Sequence, residues 1–214
     1  MIRNAMTIAW LFLCAALLAP PASAEILLER PSQQVERQAQ ALFRDLPRVE
    51  RVKDTRARCG ADLRVSEIGA YCTSKNVIYL RDTFPEPKAW AHHLAHLYGH
   101  AVQVRHGVAD VALREIRSRP NDEAMLRGWV TRQVECIAGF IVSQTPLNQM
   151  SLLDLYNDEP LTGSHWGRDP LSVGPRVSIG LAARAEWFAI GLTEGLASCA
   201  PGEFSSELLL KARR

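Results

Sequence analysis

Five of the six histidines of this 214-residue chain lie between positions 92 and 106. Two of them, His96 and His100, are four residues apart. An α-helix turns about 100° per residue, so both rings would lie on one face, one turn apart. A helical His-x-x-x-His pair is suited to holding Zn²⁺, because imidazole nitrogens are good zinc ligands. Two ligands make only half of a tetrahedral site, so the pattern predicts a third ligand elsewhere in the chain.

Glu135 is the predicted third ligand. The residues on its helical face are small, at positions 128, 131, 138 and 139, so a second helix could approach closely enough for the carboxylate to reach a shared ion. His92 is disfavoured because it would lie about 12 Å along the helix axis from His100, at about 1.5 Å per residue. Four other polar residues are interpreted as surface or capping groups: Asp154, His165, Glu186 and Glu194.

The predicted ligands lie on the two longest predicted helices. The first covers residues 87–106, with Pro87 suited to a first helical position and Gly107 to the stop. The second starts at Asn121, a residue that can cap a helix, and runs to about 144, before Pro146, with a stripe of apolar residues. Each helix therefore has sequence signals that mark both of its ends.

The rest of the sequence predicts a single α+β domain, mainly helical, over residues 25–214. Apolar spacing predicts further helices at 31–46, 110–117, 152–156 and 181–192. β-type residues on both sides of the turn 73–76 predict two short strands, hence a small antiparallel β element. Residues 145–178 contain four prolines and three glycines, which predicts a loop with one short helix in it.

The first 24 residues have the pattern of a secretory signal peptide. Arg3 is followed by an apolar stretch over 6–19 and by Ala-Ser-Ala at 22–24. The pattern predicts a periplasmic or secreted protein. An uncleaved N-terminal segment that anchors the protein to a membrane is the alternative.

Export gives the cysteines a structural role. Cys59, Cys72, Cys136 and Cys199 follow the signal, and an even set in an oxidising compartment predicts disulfides. Three pairings are possible. We favour Cys59 with Cys72 and Cys136 with Cys199 over the other two pairings and over four buried thiols.

The charge balance bears on the partners. Twenty-five basic and twenty-three acidic residues give a formal net charge of +2, and no long Lys/Arg run is present, which argues against nucleic-acid binding. A peptide or protein partner is expected, and the sequence leaves the oligomeric state open.

Four motifs resemble, in the same order, those of the bacterial neutral zinc metallopeptidase family, which has a zincin-like fold. Residues 95–103, Ala-His-Leu-Tyr-Gly-His-Ala-Val-Gln, resemble its Ala-His-Glu-x-Gly-His-x-x-Gln core, and residues 135–139 resemble its Ala-Asp-Cys-x-Ala-Gly segment. The Cys-Gly, Tyr-Cys and Val-Ile-Tyr-Leu stretches between 59 and 80 are similar to a third motif, and residues 184–199 to its C-terminal one. The resemblance implies zinc on His96 and His100, with Glu135 where the family has Asp.

The departure from the family pattern is Leu97, which stands where the motif has Glu. In zinc peptidases that carboxylate takes a proton from the metal-bound water, and loss of a general base costs a factor of about 10² to 10⁴ in rate. Residues 178–180, Ser-Ile-Gly, also lack a His that the family tends to carry before Gly. Together with the predicted signal peptide, the resemblance therefore implies an exported zinc-binding protein with little or no peptidase activity. A Leu97→Glu variant that gained activity would support this explanation.

Three alternatives stay open. The first is an active zinc-dependent peptidase whose base is relocated, for example to a water relayed from His92 or His93. The second is a metal-free interaction domain. The third is a pH-sensitive cluster, because several imidazoles on one face repel each other when protonated.

Overall fold

The structure, a computed structural model, describes residues 30–56, 58–59, 65–168, 172–173 and 176–214. The predicted signal peptide lies outside the described residues. The fold is α+β and mainly helical, as predicted. In chain order the elements are α1 (Pro31–Leu42), β1 (Arg48–Val52), β2 (Gly69–Cys72), β3 (Val77–Arg81), α2 (Pro87–Arg105), α3 (Val108–Ser118), α4 (Glu123–Ser143), α5 (Leu152–Leu155), β4 (Trp166–Arg168), β5 (Ser172–Val173), α6 (Leu181–Thr193) and α7 (Glu207–Lys211).

The helix predictions are confirmed, with differences at two ends. Helix α1 stops at Leu42, earlier than predicted, because the next residue, Phe43, adopts an extended conformation with φ −125° and ψ 150°. The predicted capping role of Asn121 is wrong. Asn121 lies inside a 3₁₀ turn, Pro120–Asp122, and Asp122 is the N-cap of α4. Helix α7 was not predicted.

The sheet is larger than the predicted β element. Strands β2 and β3 form the expected antiparallel pair, but β1 lies parallel to β3 and β4 lies parallel to β2, giving the order β1-β3-β2-β4-β5. The prediction of a purely antiparallel element is therefore wrong, as is the prediction of a loop at β4 and β5. Strands of three and two residues are too short to show an alternating pattern in the sequence.

Glycines set the distances between the three long helices. A Cβ atom on Gly139 would lie 2.0 Å from the carbonyl oxygen of Phe188, and one on Gly191 would lie 1.9 Å from that of Cys136. The backbones of α4 and α6 are therefore in contact. Helix α2 approaches α4 through its own Gly99, where a Cβ would lie 2.8 Å from the carbonyl oxygen of Val134. Gly139 thus allows close packing of α6. The sequence had instead predicted close packing of the histidine-bearing helix, α2, at this position.

Both predicted disulfides are present. Cys59 pairs with Cys72 and Cys136 pairs with Cys199, so one bridge ends on β2 and the other joins α4 to the segment after α6. Disulfides indicate an oxidising, non-cytoplasmic environment. Within the described residues, no helix combines the length and the hydropathy that a membrane span requires.

Candidate metal centre

Three buried imidazole rings converge where α2 meets the segment before β4. The Nε2 atom of His165 lies 3.0 Å from Nε2 of His96 and 3.0 Å from Nε2 of His100. The nitrogens that the three rings offer all lie within 4.8 Å of one another. The predicted pair on α2 is therefore confirmed as part of a cluster that could hold a metal ion. Among the residues that the structure describes, these three histidines form the group with that geometry.

His165 is held in place by backbone pairing with the sheet. The amide of Tyr71 donates to the carbonyl oxygen of His165 at 2.8 Å, and the amide of Ser66 donates to that of Ser164 at 2.7 Å. The Nδ1 atom of His165 lies 2.6 Å from the carbonyl oxygen of Gly163, to which it must donate. This leaves Nε2 unprotonated and free to bind a metal ion.

The prediction that His165 is a surface residue is wrong. Its exposed fraction is 8%, and the indole of the next residue, Trp166, stacks on the ring of His100 with 5.0 Å between centroids. Its position in a Pro- and Gly-rich segment offered no periodicity from which to infer burial. Asp154, Glu186 and Glu194 are exposed, as predicted.

Glu135 reaches the cluster from a different side than a third ligand would. Its Oε1 lies 3.1 Å from Nδ1 of His96 and its Oε2 lies 3.1 Å from Nε2 of His92. The structure therefore brings Glu135 together with His96 but places it behind that ring, while Nε2 of His96 faces His165. The third nitrogen of the cluster comes from His165, in the position that the sequence analysis assigned to the Glu135 carboxylate.

A buried ion-pair network supports Glu135. The guanidinium of Arg184, 1% exposed, donates to Oε1 of Glu135 at 2.5 Å and to Oε1 of Glu159 at 2.8 Å. Glu159 also accepts hydrogen bonds from the hydroxyl of Ser178 at 2.5 Å and from the amide of Ile179 at 2.9 Å. Ser178 and Ile179 thus take part in orienting Arg184 through Glu159. The network was not predicted, because its members come from three separate segments.

The surroundings of the carboxylates keep both of them charged. Burial alone would raise the pKa of Glu135, but His96 and His92 lower it, and the pKa lies well below its usual range. Burial likewise opposes ionisation of Glu159, whereas hydrogen bonds from Ser178, Ile179 and Arg184 lower its pKa. Both carboxylates therefore carry negative charge next to the Arg184 guanidinium.

The rings of the cluster are neutral. Burial lowers the pKa of His96, lowers that of His100 well below its ordinary value and lowers that of His165 to about 3. Neutral imidazole is the form that binds metal ions, since protonation occupies the lone pair of the nitrogen.

Leu97 is part of the core. It is fully buried, and its Cδ1 lies 2.9 Å from where a Cβ on Gly69 would be. The side chain therefore packs between α2 and strand β2. Position 97 offers an apolar contact, and not space beside the histidine cluster that a solvated carboxylate could occupy.

The two histidines considered as relocated bases differ in their surroundings. His92 is engaged by Glu135 through Nε2, while its Nδ1 lies 2.9 Å from the hydroxyl of Tyr156. His93 is 5% exposed, and its Nε2 has no hydrogen-bond partner in the described part of the chain. His93 therefore has the nitrogen that is not already engaged, but burial and the neighbouring histidines lower its pKa well below the ordinary value, which makes it a weak base.

Comparison with protein-family models, with curated proteins and with solved structures gives no match for this chain. The resemblance to the neutral zinc metallopeptidase family therefore rests on the four sequence motifs. The function has to be argued from the geometry of the centre itself.

Proposed function

We propose that this protein binds a divalent transition-metal ion, with zinc as the expected ion, through His96, His100 and His165, and that it has little or no peptidase activity. The observation that carries the proposal is the convergence of three buried, neutral imidazole nitrogens. Burying three such groups together without a ligand leaves their lone pairs poorly satisfied. An ion would bind all three.

The donor set favours zinc and its neighbours in the first transition row. Imidazole nitrogens suit Zn²⁺, Cu²⁺ and Ni²⁺, whereas Mg²⁺ and Ca²⁺ prefer oxygen ligands. Three protein ligands with a fourth position open to solvent is also the usual arrangement of a reactive zinc site. In the described part of the chain, the four cysteines that could select softer ions form disulfides.

The distances fit an ion after a small adjustment. Zinc–nitrogen bonds of about 2.0–2.1 Å in a tetrahedral site put two nitrogens about 3.3 Å apart. The two Nε2 separations of 3.0 Å are a few tenths of an ångström shorter. All three nitrogens lie within 4.8 Å of one another, so small rotations of the rings would bring them to that spacing.

The groups behind the rings support the same proposal. Metal-bound histidines usually donate their second N–H to a carboxylate or a carbonyl oxygen, which fixes the ring. Glu135 lies at Nδ1 of His96 and the Gly163 carbonyl lies at Nδ1 of His165. Both rings would thereby present Nε2 to the ion.

The proposed lack of peptidase activity rests on the missing proton acceptor, because Leu97 is aliphatic and packs into the core. An aliphatic group cannot take a proton from a metal-bound water, and Glu135, the carboxylate nearest to the rings, is bound to Arg184, His92 and His96. The expected loss relative to a complete site is a factor of about 10² to 10⁴.

Metal analysis of protein purified without a polyhistidine tag tests the metal site. The wild type should retain about one ion per chain, and His96→Ala and His165→Ala should lose it. His106→Ala is the matched control, because His106 follows the same helix and bonds to Arg44 outside the cluster. Equal, negligible metal in the wild type and in the His96 and His165 variants would refute the proposal.

A second candidate function is hydrolysis with a relocated base, for which the unpartnered Nε2 of the buried His93 is the available nitrogen. In that case the protein would cleave members of a peptide library in a chelator-sensitive way. A His93→Gln variant would lose this cleavage while keeping its metal. Absence of cleavage by the metal-loaded wild type would remove this candidate.

A further inference from the structure

A narrow apolar groove adjoins the cluster on the side of His100. It lies among α2, α3 and α4, and Trp166 and Val177 close it from the loop side. Its volume is about 30 Å³, against the 10–15 Å³ or so that one water molecule requires. The groove therefore has room for a short branched alkyl group and not for a large side chain.

The groove is apolar, and the polar side chains that line it are engaged within the protein. The amide of Gln103 donates to the side chain of Gln133 at 2.9 Å and to the carbonyl oxygen of Val130 at 3.2 Å. The hydroxyl of Thr131 donates to the carbonyl oxygen of Arg127 at 3.1 Å, and Arg127 itself pairs with Glu123 at 2.7 Å. A polar group in the groove would lose its bonds to water without replacement, so the part of a ligand that enters it must be aliphatic.

The inner end of the groove is shared with the metal centre. His100 belongs to the three-histidine cluster and also lines the groove, as does Trp166, which stacks on it. A group seated in the groove would therefore end beside the ring of His100. The other end of the same ligand would reach the open position of a bound ion.

The charge of the bound ion indicates which head group the ligand carries. The three rings are neutral, so a divalent ion held by them keeps its full +2 charge. The nearby network of Glu135, Glu159 and Arg184 carries one net negative charge, so the centre with its ion stays positive. An anionic head group is therefore favoured at the ion.

We propose that the groove is a binding subsite for the aliphatic tail of a small carboxylate, whose head group occupies the open position of the metal ion. The inference rests on the metal site proposed above and names its ligand class. The volume of the groove is about two to three times what one water requires, so about three carbons of a branched tail enter it.

Cobalt-loaded protein provides the test, because the visible absorption of Co²⁺ reports a ligand that binds at the metal. Isovalerate should bind more tightly than acetate by about tenfold or more, since each buried methylene contributes a factor of about four. In Ala109→Leu, which fills the groove, isovalerate should lose this advantage while acetate still binds. Ala182→Leu is the matched control, an exposed alanine on α6, and it should behave as the wild type.

A second variant covers the case in which Ala109→Leu does not fold. Leu113→Ala enlarges the groove and should shift the preference toward a longer branched acid such as isocaproate. Equal affinity for acetate and isovalerate in the wild type, or an unchanged preference in the groove variants, would overturn this inference alone. Failure of the wild type to bind Co²⁺ would instead refute the metal site on which it rests.

Discussion

The carboxylate of Glu135 lies behind the ring of His96, with Oε1 3.1 Å from Nδ1. The other nitrogen of the same ring, Nε2, lies 3.0 Å from Nε2 of His165. One nitrogen of the ring thus contacts a charged residue, and the other nitrogen is presented to the cluster. This arrangement separates the residues that would bind an ion from those that orient them.

Substitution of Glu135 tests that separation. Glu135→Gln keeps the size of the side chain and removes its charge, so zinc affinity should fall about 10–100-fold, as for other residues that orient ligands. His165→Ala should reduce the affinity much further, because a ligand is lost. Competition with a chelator measures both, with the exposed Glu186→Gln as control. If Glu135→Gln were as damaging as His165→Ala, Glu135 would be a ligand, as the sequence analysis predicted.

Arg184 should be required for stability. It is buried between Glu135 and Glu159, so Arg184→Met leaves two carboxylates without their cation, and the free energy of unfolding should fall by about 3–5 kcal/mol. Adding Glu135→Gln to Arg184→Met should restore part of the loss, because one uncompensated charge disappears. Urea denaturation of the single and double variants gives the comparison. Strictly additive losses would show that the pair is not coupled.

Leu97→Glu should destabilise the protein and not activate it. The new carboxylate would lie against Gly69 in the core, where an unpaired polar group costs several kcal/mol and a charged one more. We expect a lower melting temperature and no chelator-sensitive peptidase activity. Leu97→Met, which conserves volume, should cost less than about 1.5 kcal/mol. A stable Leu97→Glu protein with new activity would contradict the packing described for position 97.

Stability of the metal-free protein should depend on pH through the buried rings. The pKa values of His96, His100 and His165 are lowered on folding, so the unfolded chain binds more protons once the pH falls below about 6.5. The stabilisation is complete above that pH and decreases toward the folded pKa, about 3 for His165. Each ring can contribute up to about 1.4 kcal/mol per pH unit.

Denaturation in the presence of a chelator at pH 7.5 and 5.5 measures this dependence. The interval lies above the titration of the carboxylates, so the histidines dominate the change. His165→Gln should have a shallower pH dependence. An unfolding free energy that is the same at both pH values would contradict the burial of neutral rings.

The two disulfides should differ in their contributions to stability. Cys136 and Cys199 are separated by 63 residues, and Cys59 and Cys72 by 13. On the chain-entropy account, replacing the first pair by alanine should cost about 4 kcal/mol and replacing the second about 3 kcal/mol. Chemical denaturation of the two double variants tests the order. A larger loss from the Cys59 and Cys72 variant would show that local packing outweighs chain entropy.

Local patterns in the sequence were enough to predict the helices that carry the first two histidines and Glu135. Pro87 and Gly107 mark the ends of one helix, and its four-residue spacing brings His96 and His100 to one face. The antiparallel pair of strands and both disulfides were also predicted. Each of these features depends on neighbours in the sequence or on a small number of possible pairings.

The parts that were missed depend on distant segments. His165 joins the cluster because its backbone pairs with β2, and a loop sequence has no periodicity that reveals such pairing. Strand β1 was missed for the same reason, since its partner β3 lies beyond a long connection. Arg184 reaches Glu135 because Gly139 and Gly191 let the backbones of α4 and α6 touch. Small residues in the sequence indicate a close helix contact, but they do not identify which helix makes it.

The loop position of His165 has a consequence for how the protein would respond to metal supply. Two donors belong to a rigid helix, whereas the third is 65 residues farther along the chain from His100. A bound ion would cross-link these two distant segments, in addition to the two disulfides. Resistance to proteolysis in the stretch around His165 should then rise and fall with the concentration of free metal.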